Sequence, residues 1–264
     1  MRNKKSSIAV VYLARGAEVD WLEAFQRFLA SYRKFDAEQD HVLYVVYKGF
    51  GSDAHMAPAL RWFSGVNAHA IKVGDDRLDI GAYLAAVNEI AEDYVCFLNT
   101  YSELLGPAWL KKLTLHIDRP EIGLVGATGS FESLAGLDPR FPAFPSPHIR
   151  SNGFMVRRQL FNELVGTVVI REKLDAYFFE SGPLGLTRQI LAHGLQVLVV
   201  GRNGRGYPSR WWPSSGTFRQ GKQENLLIGD NQTRAYMAAT WSTKRAMVES
   251  TWGGYVDSYN AMNA

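Results

Sequence analysis

Apolar residues fall in short blocks separated by polar and glycine-bearing stretches. Ser7 to Leu13 (SIAVVYL) is one unbroken run rich in β-branched residues, the pattern of a strand covered on both faces. Arg15-Gly16 ends it. Trp21, Leu22, Phe25, Phe28, Leu29 and Tyr32 then recur at spacings of three, four and seven, the apolar stripe of an amphipathic helix, with Asp20 as its expected N-cap. Val42 to Tyr47 (VLYVVY) is a second buried strand, closed by Lys48-Gly49-Phe50-Gly51. Strand, helix and strand in this order predict parallel pairing with a right-handed crossover.

The alternation continues. His69 to Val73 reads as a third strand, Asp79-Ile80-Gly81 leads into a helix from about Ala82 to Ala91, and Tyr94 to Leu98 is a fourth strand. Pro107 sits near the start of a helix over Trp109 to His116, where a missing N–H costs little. Ile122 to Gly126 is another strand. From Gly129 to Pro147 the pattern breaks, with prolines at 139, 142, 145 and 147. A long ordered loop is expected there, a candidate lid or acceptor-side wall. Ile149 to Val156 resumes strand character, a helix around Leu184 to His193 ends at Gly194, and Gln196 to Val200 is the last strand. Beyond Gly201 the chain is aromatic and Gly-rich up to Phe218, with helical patterns at Arg234 to Thr240 and Lys244 to Ser250. There is no internal repeat and no low-complexity segment.

Composition narrows the picture. The chain has 264 residues, 47% of them hydrophobic, enough for one sizeable core and a single α/β domain over 1–264. Lys and Arg number 29 against 26 Asp and Glu, a balance too near neutral to supply the field a nucleic-acid partner requires. The run Arg2-Asn3-Lys4-Lys5 reads as a solvated tail able to touch anionic lipid weakly. The first residues lack the apolar region and cleavage site of a leader, and no stretch of about 18 apolar residues is present to span a membrane. Cys96 is the only cysteine, which excludes an intrachain disulfide and fits a cytoplasmic setting. Its apolar surroundings predict a buried, inert thiol.

Several strands end in polar or glycine-bearing groups: Arg15-Gly16, Lys48-Gly49, and Asn99-Thr100-Tyr101-Ser102. Parallel strands gather such ends on one sheet edge, where α/β proteins bind ligands. A cation at Lys48 or Arg15 suits a diphosphate, although an exposed terminal Lys is the plainer reading. No P-loop and no Gly-x-Gly-x-x-Gly fingerprint is present, against a P-loop kinase or a Rossmann dehydrogenase. No zinc spacing or Gly-x-Ser-x-Gly elbow is present either. Glu180 lies in Tyr177-Phe178-Phe179-Glu180-Ser181, an aromatic surround that raises a carboxylate pKa and suits a general base. The plainer reading is a Glu bonded to backbone or to an Arg such as Arg188. His148-Ile149-Arg150 forms a second polar group, with His148 expected as a hydrogen-bonding partner more than as a catalyst. Trp211, Trp212, Phe218, Arg210 and Arg219 make an aromatic and cationic cluster able to stack on a sugar ring or base. Core packing is the expectation for Trp212, with Trp211 open to either role.

From Ser7 to Val200 the order of these pieces resembles a GT-A-fold glycosyltransferase of the family 2 type. The pieces are Val11 to Gly16, Val46 to Phe50, Gly81 and Asn88, Cys96 to Tyr101, Gly153 to Phe161, and Phe179-Glu180-Ser181 followed by Leu186 to Ile190. The resemblance implies a three-layer α/β/α fold with a mainly parallel central sheet. It implies a nucleotide-sugar half over about 7–128, an acceptor half over about 129–200, and a C-terminal extension over 201–264. It also implies inverting transfer of a sugar from a nucleotide-sugar donor to a hydroxyl of a saccharide or lipid-linked saccharide in surface polysaccharide synthesis. The implied donor-binding set is Arg15, Lys48, Asp79, Asn99 and Tyr101; the acceptor side holds His148, Arg150 and Trp211; Glu180 is the base. Three positions depart from the family. Lys48 replaces an acidic residue, Asn99 and Tyr101 replace the metal-binding aspartates of Asp-x-Asp, and Ser181 replaces the usual Asp. A neutral Asn-x-Tyr pair is a poor ligand set for Mg²⁺ or Mn²⁺, so Lys48, Arg15 or Arg150 would neutralise the leaving diphosphate. The same departures suit an inactive GT-A-like module that holds nucleotide or glycan without turnover. A nucleotidyltransferase is a third reading, for which Ala14-Arg15-Gly16-Ala17 is a poor phosphate loop.

Overall fold

A computed structural model of the chain describes residues 6–74, 79–165, 168 and 170–256. The basic run Arg2 to Lys5 and the side chain of Asp79 lie outside the described residues. The first half runs β1 (Ile8–Arg15), α1 (Trp21–Lys34), β2 (Val42–Lys48), α2 (Asp53–Phe63), β3 (Ala68–Lys72), α3 (Asp79–Ala86), β4 (Tyr94–Leu98), β5 (Glu103–Leu104), α4 (Trp109–Ile117) and β6 (Ile122–Gly126). The second half adds β7 (Gly129–Ser130), β8 (His148–Ile149), β9 (Gly153–Arg157), α5 (Arg158–Val165), α6 (Lys173–Ser181), α7 (Leu186–Ala192) and β10 (Gln196–Val200). It closes with β11 (Gly206–Tyr207), β12 (Ile228–Gly229), α8 (Asn231–Ala238) and α9 (Trp241–Trp252).

Eight strands form the central sheet in the order β11-β10-β6-β9-β4-β1-β2-β3. β1 pairs in parallel with both β2 and β4, β2 with β3, and β6 with β10. Only β9 and β11 run against the rest, so the sheet is mainly parallel, as the sequence predicts. The period of two in β1 decides the layers. Ala9, Val11 and Leu13 face a core made with α3, α5, α6, α7 and α9. Ile8, Val10, Tyr12 and Ala14 face a second core made with α1, α2 and α4. A sheet covered on both faces gives the three-layer α/β/α arrangement. The C-terminal helices belong to it: Tyr236, Val248 and Trp252 are fully buried in the first core.

Several expectations shift. Three helices form where the pattern suggested none. α2 carries Pro58 inside it, and α5 and α6 are only 8 and 9 residues long, so each apolar stripe is brief. The helix expected over Ala82 to Ala91 begins earlier, at Asp79, and ends at Ala86. Asp20 occupies the N-cap position of α1 without capping it; its carboxylate takes the Tyr101 hydroxyl instead, at 2.8 Å. The proline-rich loop is pinned at both ends by β7 pairing with β8. Along its length Phe131 packs on Trp252 (5.3 Å between centroids) and Phe141 stacks on Phe178 (4.2 Å). No helix among the described residues is long and apolar enough to cross a membrane.

Candidate functional site

Because β9 runs against its neighbours, its amino end lies at the same sheet edge as the carboxyl ends of β4 and β6. The register fixes this: Leu98 faces Gly153, and Gly126 faces Phe154. The residues just past β4 (Asn99 to Ser102), just past β6 (Ala127, Thr128) and just before β9 (Ser151, Asn152) therefore meet. Small polar side chains hold them together. The Ser102 hydroxyl lies 2.7 Å from the Asn152 carbonyl and 3.0 Å from Asn99 Oδ1, a three-centre bond. Thr128 donates to Asn152 Oδ1 at 2.5 Å. Ser102, Thr128 and Asn152 are buried, and burial without these partners would be costly.

Asn99 makes an Asx turn. Its Oδ1 accepts the Tyr101 N–H at 3.0 Å together with the Ser102 hydroxyl, which folds the chain sharply at the strand end. The carboxamide oxygen is thus committed to the turn. Its NH₂ has no protein partner among the described residues and remains a donor. Tyr101 reaches the opposite way, to the loop between β1 and α1, with its hydroxyl 2.8 Å from Asp20 and 3.2 Å from Glu18. Burial, then these two carboxylates, push its pKa far above the ordinary tyrosine value, so the phenol stays protonated and ties that loop to β4. Beneath it, the buried Tyr12 hydroxyl donates to the Thr100 carbonyl at 2.7 Å.

The cations expected to meet a diphosphate are committed in the fold. Arg15 pairs with Glu18 at 2.5 Å. Lys48 is only 1% exposed and engaged in the interior, which replaces the exposed strand-end lysine of the plainer reading. Its carbonyl accepts the Gly16 N–H at 2.8 Å, tying the ends of β1 and β2. Arg150 pairs with buried Asp230 at 3.1 Å and lies 4.1 Å over the Phe218 ring.

Glu180, half-buried near the end of α6, is held by Ser151. Its Oε2 accepts the Ser151 hydroxyl at 3.0 Å and its Oε1 the Ser151 N–H at 3.3 Å. Among the described residues it forms no ion pair with Arg188. The next residue along the chain, Asn152, is the one bonded to Ser102, so Glu180 and Asn99 are linked across the mouth of the sheet through the Ser151-Asn152 backbone and the Ser102 hydroxyl. His148 is buried with its Nδ1–H donating to the Ser146 carbonyl at 2.8 Å. Burial pushes its pKa down, and the neighbouring Glu180 carboxylate only partly opposes this. The unfolded chain therefore binds the proton more readily, so this contribution to stability is complete above pH ~6.5 and is lost as pH falls toward the folded value. Urea midpoints between pH 7.5 and 5 should decline in the wild type and decline less in His148→Gln. Equal slopes would remove His148 from the acid response.

Trp211 is 53% exposed, with the Arg210 guanidinium 5.9 Å from its ring. Among the described residues nothing joins it to the Glu180–Asn99 path. Trp212 is fully buried and donates from Nε1 to the Tyr207 carbonyl at 2.8 Å. Cys96 is buried in β4, which pushes its thiol up to about 12; it is inert as expected. Sequence reasoning named Ser102 only as part of the polar end of β4, and missed Thr128, Ser151, Asn152 and Asp230. Of these only Asn152-Gly153, a polar residue and a glycine opening a strand, carried a local signal.

The Asn99-Thr100-Tyr101 turn does not fit a divalent ion. Mg²⁺ and Mn²⁺ need several anionic or carbonyl oxygens. Here the Asn99 oxygen is taken by two donors and the Tyr101 phenol is neutral and bound to Asp20 and Glu18. Among the described residues no three His, Cys, Asp or Glu side chains cluster as ligands.

No family model matches the chain, and no curated protein does. Solved structures similar to it include the mannosyltransferase PcManGT from Pyrobaculum calidifontis, in complex with GDP-Man and Mn²⁺ (14% identity, TM-score 0.42, 64% of this chain). Mouse xyloside xylosyltransferase 1 is similar at 11% identity and TM-score 0.43, over 74% of this chain and 84% of its own. Glucosyl-3-phosphoglycerate synthase from Mycobacterium tuberculosis is similar at 16% identity and TM-score 0.39, over 62% of this chain. The chain spans 48% of the mannosyltransferase and 58% of the synthase.

Proposed function

We propose that the chain is an inverting glycosyltransferase of the GT-A family 2 kind. It would move a sugar from a nucleotide-sugar donor to a hydroxyl of a saccharide or lipid-linked saccharide during surface polysaccharide synthesis at the cytoplasmic face of a membrane. Residues 7–128 would hold the donor, 129–200 the acceptor, and 201–264 would complete the unit. The observation that carries this reading is the Glu180 carboxylate, fixed by Ser151 on the sheet edge that also holds Asn99. Glu180 takes the acceptor's hydroxyl proton while the oxygen attacks the anomeric carbon, and the bond from that carbon to the diphosphate breaks on the opposite face. The free Asn99 amide N–H donates to the donor's ribose or phosphate oxygens. Arg15 and Lys48 stand at the ends of β1 and β2 but are already engaged inside the fold, so no contact with the leaving diphosphate is assigned to them. No step is assigned to a metal, because the Asn99-Thr100-Tyr101 turn does not fit one.

Nucleotide release from UDP-, GDP- and dTDP-sugars, followed with and without Mn²⁺, tests the reading. Release without added Mn²⁺, raised by a glycan acceptor, is the expected result. No binding and no hydrolysis of any donor under either condition sinks it. One observation favours a second reading, a binding module without turnover: the Asn99 oxygen and the Tyr101 proton are spent inside the fold. Calorimetric donor binding with no transfer across a broad acceptor panel would decide for it.

A further inference from the structure

A cavity of about 440 Å³ opens between β5, α8 and the segment before β12. Leu105, Leu226 and Met237 give it apolar walls, and Arg234, Lys222 and Glu103 give it a charged rim. Two cations face one carboxylate there. Arg234 is 33% exposed at its side chain and reaches Glu103 only at 3.4 Å. Its bond to the Tyr101 carbonyl is also 3.4 Å long. Both sit at the outer limit of hydrogen bonding and leave most of the guanidinium's five donors uncommitted. Burial, and then the charge of Arg27 on α1, depress its pKa. The remaining nearby carboxylate, Asp230, is already paired with Arg150. A half-buried guanidinium that shares the cavity with a second cation and holds a single loosely placed ion-pair partner at 3.4 Å is short of negative charge.

We propose that this cavity binds an amphipathic phosphate, with the headgroup on Arg234 and Lys222 and an alkyl tail along Leu105, Leu226 and Met237. Planar guanidinium forks match phosphate oxygens. Apolar walls with a few convergent polar groups suit a ligand that has both ends, and an unbranched thioether such as Met237, 42% exposed, adapts to a flexible tail. A free phosphate ion would leave those walls wet. The carbonyl that Arg234 reaches belongs to Tyr101, two residues past Asn99, so the headgroup sits beside the proposed donor crevice. That this phosphate compound is the acceptor, or carries it, rests on the transferase reading; its binding does not.

Calorimetry with octyl phosphate below its micellar concentration, inorganic phosphate and octyl glucoside separates the sources. Octyl phosphate should bind saturably, and the other two at least about tenfold more weakly, because each lacks one of the two recognised ends. Arg234→Gln should weaken octyl phosphate about tenfold, the worth of a charge-assisted contact. Met237→Glu, on an exposed position that tolerates the change, should weaken it as well by charging the tail's wall. No saturable binding, equal affinity for octyl glucoside or for phosphate alone, or indifference to both variants overturns the proposal. UDP and GDP titrations on the same samples report on the donor crevice. Nucleotide binding without octyl phosphate binding sinks this site alone, whereas octyl phosphate binding without any nucleotide binding sinks the transferase reading alone.

Discussion

Glu180→Gln is expected to lower sugar transfer by roughly 10²–10⁴-fold, the range for loss of a positioned general base, while the dissociation constant for the donor stays unchanged. The geometry makes this a clean substitution. Gln keeps an oxygen able to accept from the Ser151 N–H or hydroxyl, which hold the native carboxylate at 3.3 and 3.0 Å, and its amide can donate to the same hydroxyl. The side chain is only half-buried, so no large core term is disturbed. The loss should fall on kcat, because a base acts in the transition state and adds little to ground-state binding. Ser151→Ala separates positioning from chemistry. It removes the hydroxyl that orients Glu180 but leaves the carboxylate, so it should cost much less, and a raised acceptor concentration should partly recover the rate. Full transfer by Glu180→Gln would take Glu180 out of the base role and turn attention to His148.

Much of the frame is legible in the residues because burial on both faces writes a continuous apolar run. β1, β2, β4 and β6 appear in the sequence within a residue or two of their observed ends. The direction of β9 is not legible. Gly153-Phe154-Met155-Val156 reads as a strand whichever way it runs, yet its reversal is what carries Ser151 and Asn152 to the working edge. Asn99 and Glu180 are visible as polar punctuation after apolar segments, whereas the path between them is not. Ser102 bonds a carbonyl 50 residues away, and a lone serine carries no sign of so distant a partner. The reading of Lys48 as an exposed strand-end cation fails for a related reason: a charge at a strand end looks solvated until the segments that cover it are placed. α6 was hidden because its aromatics, Phe178 and Phe179, suggested the surroundings of a carboxylate before they suggested a helix. Asp175 shows the helix start only in three dimensions, where its carboxylate accepts the N–H groups of Arg171 and Glu172.

Asp230→Ala is expected to destabilise the protein by about 5 kcal/mol, because two supports go at once. Its Oδ2 pairs with Arg150 at 3.1 Å, and the two side chains are only 2% and 13% exposed. Its Oδ1 accepts the Thr233 N–H at 2.8 Å and caps α8. Removing one partner of a buried pair costs about 3–5 kcal/mol, since the other charge is left unpaired, and a lost cap adds about 1 kcal/mol. Arg150 cannot easily escape to solvent, being stacked over Phe218 at 4.1 Å with its backbone N–H bonded to the Thr128 carbonyl. The double variant Arg150→Met with Asp230→Ala should recover most of the loss, leaving roughly the 1 kcal/mol of the cap, because an apolar replacement of a buried pair is often neutral. Urea unfolding of the wild type, Asp230→Ala, Arg150→Met and the double variant gives the coupling energy directly. Strictly additive effects would show that the pair is not an energetic unit. The folded double variant also answers the question the sequence raises about Arg150. If transfer to acceptor persists without its charge, the arginine fastens the segment between β8 and β9 to α8 and binds nothing. If acceptor-dependent turnover alone collapses while donor hydrolysis continues, Arg150 contacts the acceptor, and Asp230 is there to aim it.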